Sequence, residues 1–233
     1  MDYREKLQKI INLKTDLQKY EGVVLGKNVK TEPNVFFDTE HGPIVVGDES
    51  VIKSGAILRG PLLIGKNCKI GGEVEHSIFE DYSNKQHYGT IGHSYIGSWV
   101  NIGAGTSISN LKNTYSSIKI AGVDTGEQFL GCIIGDYVKT AINTSIFCGK
   151  VIGVSSHLYG TVTEDVPAFT SHVRAGVMYE LPLEIAEKIQ KAMMKRRGVE
   201  FTEKDHQTFG DLFNKTASER EKVGVKKEKL SFK

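Results

Sequence analysis

Cysteine is nearly absent. The 233-residue chain has three, Cys68, Cys132 and Cys148, widely spaced and with no Cys-x-x-Cys pair. That excludes a disulfide frame or a cysteine zinc site and reads as reduced thiols in a cytoplasmic protein. No apolar run approaches the roughly 18–20 residues needed to cross a bilayer. The start, Met1-Asp2-Tyr3-Arg4-Glu5-Lys6, is charged and lacks a signal-peptide stretch, so no membrane partner is expected. Neither sign of charge dominates: 30 Lys and Arg against 28 Asp and Glu leave +2. That balance excludes a broad cationic nucleic-acid surface. Hydrophobic residues at 39% and charged residues at 25% exclude wholesale disorder. Proline is scarce, at 5, while glycine reaches 25. Many glycines with few prolines point to a regular series of tight corners.

The corners have a period. Val46, Ile52, Leu58, Ile64 and Ile70 fall six apart. The pattern restarts at Thr90 through Ile96, Ile102 and Ile108, and again at Ile134, Ile146, Ile152 and Leu158, with Thr140 as the polar exception. Glycine often follows the aliphatic, as at Gly47, Gly65, Gly97, Gly103, Gly135 and Gly153. A small or β-branched residue recurs four positions on, as at Ser50, Ala56, Cys68, Val100, Thr106 and Val138. Neither a helix nor an alternating strand gives period six. A short strand and a corner do: one aliphatic points inward, and three segments of about 18 residues close one triangular coil. A Gly-rich β-sandwich would have to acquire three phased blocks by accident. The spacing therefore predicts an all-β solenoid, a parallel β-helix of hexapeptide repeats.

Residues 76–89 and 111–129 break the phase and are expected as loops outside the solenoid, where binding groups tend to lie. Residues 1–20 carry an amphipathic stripe of Leu7, Ile10, Ile11, Leu13 and Leu17. One helix capping the open end of the coil is expected there. The β-helix is expected over 21–170 and a helical extension over 171–222. In that extension, residues 181–197 form one helix, and Thr202 with Asp205 caps another. The basic stretch 223–233 is expected as a solvated tail.

Several side chains could carry chemistry. His87, in a polar segment with Asn84, Lys85 and Tyr88, has the side chain suited to proton transfer near neutral pH. Asn101 and Asn110 frame a Gly-rich coil, and an amide can accept from an amine and donate to a carbonyl. Arg59 stands just after an inward aliphatic, where a guanidinium could hold a phosphate, with Lys112 and Lys119 adding charge. His76, His87 and His93 raise the alternative of a shared zinc ion, as in carbonic anhydrases of hexapeptide type. Their spacings of 11 and 6 miss that family's close pair, so no metal is expected.

Leu58-Arg59-Gly60-Pro61, His87, Gly92-His93-Ser94-Tyr95-Ile96-Gly97 and Asn101-Ile102-Gly103-Ala104-Gly105-Thr106 together resemble a known family. It is the acetyltransferase half of bifunctional sugar-1-phosphate nucleotidyltransferase/acetyltransferases, of the glucosamine-1-phosphate kind. Ser109-Asn110-Leu111-Lys112-Asn113 and Ile134 to Thr144 resemble a sugar nucleotidyltransferase-like subgroup. The resemblance implies a left-handed coil and a homotrimer with its sites in grooves between neighbouring prisms. It implies acetyl transfer from acetyl-CoA to an amino-sugar phosphate. His87 would be the base and Asn110 the orienting amide. Arg59, Lys85, Asn101, Lys112 and Lys119 would hold substrate, and Lys139, Ala141 and Asn143 would line the acetyl-CoA wall. The chain departs from the family at Thr90, where a Tyr is usual, and at Ser77, near a family Lys. No segment fits a nucleotidyltransferase domain, so a separate nucleotidyltransferase is an expected partner. The rival expectation is a scaffold that keeps the prism and binds a sugar nucleotide without catalysis.

Overall fold

The computed structural model describes residues 2–232; Met1 and Lys233, at the ends of the predicted helix and tail, lie outside the described residues. Helix α1 (Tyr3–Ile11) and the short α2 (Leu13–Asp16) precede a series of two- to five-residue strands that stack in parallel. Helices α3 (Leu183–Lys195), α4 (Glu203–Lys215) and α5 (Ala217–Lys222) follow.

The strands form three faces of a prism. The first face runs Val23–Leu25, Ile44–Val46, Leu62–Ile64, Ile78–Phe79, Tyr95–Ile96, Ile133–Ile134 and Val151–Ile152. The second face carries Lys30–Thr31, Val51–Ile52, Lys69–Ile70 and Asn84–Lys85, then Lys139–Thr140, His157–Leu158 and Thr170–Arg174. Single bridges through Asn101 join its two halves. The third face carries Phe36–Asp38, Ile57–Arg59, Glu73–Glu75, Thr90–Gly92, Ser107–Ile108, Ser145–Ile146 and Thr161–Val162. Register puts the periodic aliphatics in line: Val46, Ile64 and Phe79 pair on one face, and Leu58, Val74 and Ile91 on another. All are buried in one continuous core with Ala56, Cys68, Val100 and Val138. Stacking coils bury a column of apolar area that no single coil could bury.

The glycines after the aliphatics serve close approach. A Cβ on Gly47 would lie 2.7 Å from the carbonyl carbon of Gly65 in the next coil, and one on Gly135 2.9 Å from the amide of Val154. Adjacent backbones meet there with no room for a side chain.

Four expectations need correction. Residues 76–89 are not a loop outside the prism. They contain Ile78–Phe79 and Asn84–Lys85, both paired into the coil. The phase breaks because corners shorten: Phe79 pairs with Ile64, 15 residues back, and with Ile96, 17 ahead. The N-terminal segment does not cap the end of the coil; it bends at Asn12 and lies along the first face. There Ile10, Leu13 and Leu17 pack with Ile78, Tyr95 and Ile133. The coil passes residue 170, because Thr170–Arg174 joins the second face and turns back antiparallel into Val177–Glu180. The basic tail is not free throughout. Lys226 bridges Tyr179, and the Lys226 amide donates to the Met178 carbonyl at 3.0 Å. Val225 packs on the main core there, and that burial offsets the entropy of ordering the segment.

Residues 111–129 do leave the prism, between the third face and the first. Leu111 bridges Phe129, and Lys119–Ile120 pairs antiparallel with Val123–Asp124. Ile118 and Ile120 fold back onto the α1 cluster. On the C-terminal side, Thr202 and Asp205 form the expected capping box of α4, and Phe209 packs between Tyr137 and Phe169. Helices thus roof the first face and part of the second. The outward side chains of the third face stay half-buried or exposed.

Candidate functional site

The third face and its two flanking corners hold half of the predicted residues: Arg59, His87, Asn110, Ala141 and Asn143. Arg59 projects from Ile57–Arg59. It pairs with Glu73 and lies 3.9 Å from Asp38. The hydrogen bond to Glu73 is the main reason its guanidinium is held above its ordinary pKa. Thr90, in the neighbouring coil, donates to the other Glu73 oxygen at 3.3 Å. Asp38, Glu73 and Glu75 therefore outnumber the one guanidinium on this wall. Such a surface attracts an ammonium group more readily than a bare phosphate.

Asn110 stands at the corner between the third and first faces. Its Nδ2 lies 2.9 Å from Glu75 Oε1 and 3.0 Å from His93 Nδ1. One amide hydrogen goes to the carboxylate and the other to the imidazole, which fixes Nδ1 of His93 as an acceptor. His93 stacks on His76, with centroids 4.5 Å apart, and His76 Nε2 donates to the Ile10 carbonyl of α1 at 3.3 Å. Burial, then the neighbouring His76, pushes His93 down to about 4, so the ring is neutral and free to accept. With both N–H groups engaged, Asn110 keeps its Oδ1 as the remaining acceptor. Gly92 makes this possible: a Cβ there would lie 2.6 Å from Asn110 Nδ2 and 2.8 Å from Glu75 Oε1.

Glu75 was not singled out from the sequence, and Gly92 and His93 were noted only within a motif or as possible metal ligands, although a signal for this corner was present. His76, His93 and Asn110 are each 17 residues apart, as are Glu75 and Gly92. A reading fixed on 18-residue coils passes over that spacing.

His87 lies at the opposite edge of the third face, at its corner with the second face, and is exposed. Its imidazole hydrogen-bonds no other described residue, while its carbonyl accepts from Lys85. Tyr88 reaches over Gly105 and donates to Asn143 Oδ1 at 3.1 Å, and the Asn143 amide donates to the Ala104 carbonyl at 2.7 Å. His87 thus shares one corner of the prism with Ala141 and Asn143, two coils apart, with Ala104 and Gly105 in the coil between. The three histidines of the metal alternative do not gather, because His87 sits a full face away from His76 and His93. Among the described residues no group of three or more His, Cys, Asp or Glu could hold a metal ion.

Other predicted residues fall elsewhere. Lys85, expected among substrate contacts, points into the prism and is 1% exposed. Its Nζ donates to the Gly71 carbonyl at 2.9 Å and the His87 carbonyl at 2.8 Å. It fills the space left where the Gly71-Gly72 corner is short, and burial pushes it down to about 8. Asn101 and Lys139 lie on the second face, in line with Asn84 and beneath α3. Lys112 donates to the Ser117 carbonyl within the excursion, and Lys119 is exposed on its hairpin.

No protein-family model matches the chain. In sequence it is 32% identical over 152 residues to a bifunctional sugar-1-phosphate nucleotidylyltransferase/acetyltransferase of Sulfurisphaera tokodaii, covering 54% of this chain and 38% of that protein. It is 32% identical over 151 residues to the bifunctional protein GlmU of a Nostoc species, covering 63% of this chain and 30% of that protein. The chain thus spans about a third of the length of the curated relatives it matches. Among solved structures it has a slight likeness to a variant of AntD, an N-acyltransferase from Bacillus cereus, crystallised with dTDP-4-amino-4,6-dideoxyglucose and coenzyme A. There the TM-score is 0.40 and the identity 19%, covering 67% of this chain and 81% of that one.

Proposed function

Proceeding from this kinship to bifunctional sugar-1-phosphate nucleotidyltransferase/acetyltransferases, we propose that the chain transfers an acetyl group from acetyl-CoA to the amine of an amino-sugar phosphate. The observation that carries the reading is the third face itself: a carboxylate-rich wall with an exposed imidazole at one edge and a fixed amide oxygen at the other. The carboxylates draw in an ammonium. His87 removes its proton, and Asn110 Oδ1 accepts a hydrogen bond from the sugar and orients it. The amine nitrogen then forms its bond to the thioester carbonyl carbon. The carbon–sulfur bond breaks, and the thiolate leaves and takes up a proton. A backbone N–H of a facing wall would steady the oxyanion, since those of Ala141 and Asn143 already donate to the Leu158 and Ala104 carbonyls. Arg59 would reach a phosphate by exchanging Glu73 for it, with Lys119 and Lys112 as further cations.

Assembly is part of this reading. Asn101 and Lys139 face away from His87 within one prism, so a single chain does not bring all the expected contacts together. A homotrimer of left-handed prisms would set a neighbouring chain against the third face, although Asn101 and Lys139, lying beneath α3, would not be presented to it. Exposed Phe36, Ile57 and Phe147 on or beside the third face favour such a contact.

The test is a free-thiol assay with acetyl-CoA against a panel of amino-sugar 1-phosphates. His87→Ala should lower kcat by about 10²–10⁴-fold, the usual worth of a positioned base, with the assembly unchanged. Full activity in that variant would remove His87 from the reaction.

A further inference from the structure

A cavity of about 290 Å³ lies between the second face and α3, built by one chain alone. Its walls bring together Lys69, Lys139, Arg196 and Arg197, with the amides of Asn84 and Asn101, and no carboxylate lines it. None of these four cations is ion-paired among the described residues; the ion pairs of the molecule lie elsewhere. What they do contact is neutral. Arg197 donates to Asn84 Oδ1 and to the Asn67 carbonyl, and Lys139 to the Tyr137 carbonyl at 2.8 Å and to Gln190 Oε1 at 3.4 Å. Burial, then the neighbouring Arg197, drives the Lys69 ammonium below its ordinary pKa. Crowded like charges without a counterion cost stability, and a protein normally pairs them. Asn84 donates to Asn101 Oδ1 at 3.4 Å, which leaves the Asn101 N–H groups for a ligand.

We infer that this cavity binds a diphosphate group, held by Lys69, Lys139, Arg196 and Arg197 with Asn101 as a neutral donor. The volume is at the small end of the roughly 300–1,000 Å³ typical of ligand pockets, too small for a whole nucleotide but larger than one phosphate requires. Four cations on two walls suit two linked phosphates, each taking forked guanidinium contacts, better than a single one. The inference shares Asn101 and Lys139 with the acetyl-transfer reading but needs neither His87 nor a second chain, so either can fail without the other. The diphosphate could belong to a nucleoside diphosphate, to coenzyme A or to free pyrophosphate.

The test is calorimetric titration of the full chain with inorganic pyrophosphate, inorganic phosphate, UDP and coenzyme A. Pyrophosphate should saturate and bind more tightly than phosphate. Lys69→Gln and Arg196→Gln, which remove cations that hold no backbone carbonyl, should each weaken it by about tenfold or more, the worth of one charged hydrogen bond. Lys188→Gln, on α3 but outside the cavity, should leave it unchanged, and so should His87→Ala. UDP or coenzyme A binding more tightly than pyrophosphate, with the same sensitivity to Lys69 and Arg196, would support the site and identify the source of the group. No saturation by any diphosphate, phosphate binding as tightly as pyrophosphate, or indifference to both substitutions would overturn the inference. Thermal melts of each variant show whether a loss comes from the cavity or from unfolding.

Discussion

Asn110 Nδ2 donates to Glu75 Oε1 at 2.9 Å across the edge of the third face, and the space for that bond is the missing side chain of Gly92. Gly92→Ala would press a methyl first against the side-chain tips of Asn110 and Glu75 and then against Glu75 Cγ at 3.1 Å. The tips can swing away, so the melting temperature should fall little, by the equivalent of about 1 kcal/mol or less. Asn110 would lose its orientation, and kcat/KM for acetyl transfer should drop by about 10²-fold. A variant with a normal melt and normal kcat/KM would show that the pair does not serve the reaction.

His93 makes the same corner sensitive to acid. Its folded value, near 4, is below the ordinary 6.5, so between those pH values the unfolded chain binds a proton that the folded chain refuses. Stability should therefore decline as pH falls from about 6.5 toward 4 and show no further loss from this group below that. His157, also pushed down to about 4 by burial, adds to the slope. Urea unfolding at several pH values should show a shallower decline in His93→Asn, a residue tolerated at the positive φ of 50° found there.

Lys85 gives the opposite limb. Its ammonium is held down to about 8 against an ordinary 10.5, so above pH 8 the folded state sheds a proton that the unfolded chain still keeps. Stability should climb between about pH 8 and 10.5, and Lys85→Met should lose that part of the climb. Identical pH slopes in the two proteins would show that the lysine is not buried as described.

The assembly can be read by sedimentation. The expected mass is about three times 25.7 kDa. Phe147, 52% exposed just past the strand Ser145–Ile146, would supply apolar surface for the proposed contact. Phe147→Glu should yield monomers with an unchanged melt, because an exposed position tolerates charge while a buried contact does not. A trimer that survives the substitution would place the contact elsewhere.

The prism could be read from the sequence because its period is a packing rule. Ile52, Ile70 and Leu58 must point inward, and glycines such as Gly47 must let coils touch. The stretch from Ile70 to Ile91 was not legible, because two corners shorten by deletion and the inward position after Phe79 goes to Lys85, a residue that composition assigns to the surface. The course of α1 along the first face was also hidden, since an amphipathic stripe does not say which apolar wall it meets. Within the candidate site, His87 and Asn110 were expected as residue types in context. Glu75 and Gly92 matter only through a contact between coils, and Arg196 and Arg197 only through the way α3 docks. Such relations belong to the folded chain.

A stack of coils tied only to nearest neighbours would be expected to peel from either end. Here the first helix of the chain lies not on the first coil but on Tyr95 and Ile133, well up the column, while Arg197 near the other terminus fastens to Asn67 and Asn84. The two ends act as struts across the middle, so a pull or a protease at one terminus meets a cross-braced column in place of a zipper.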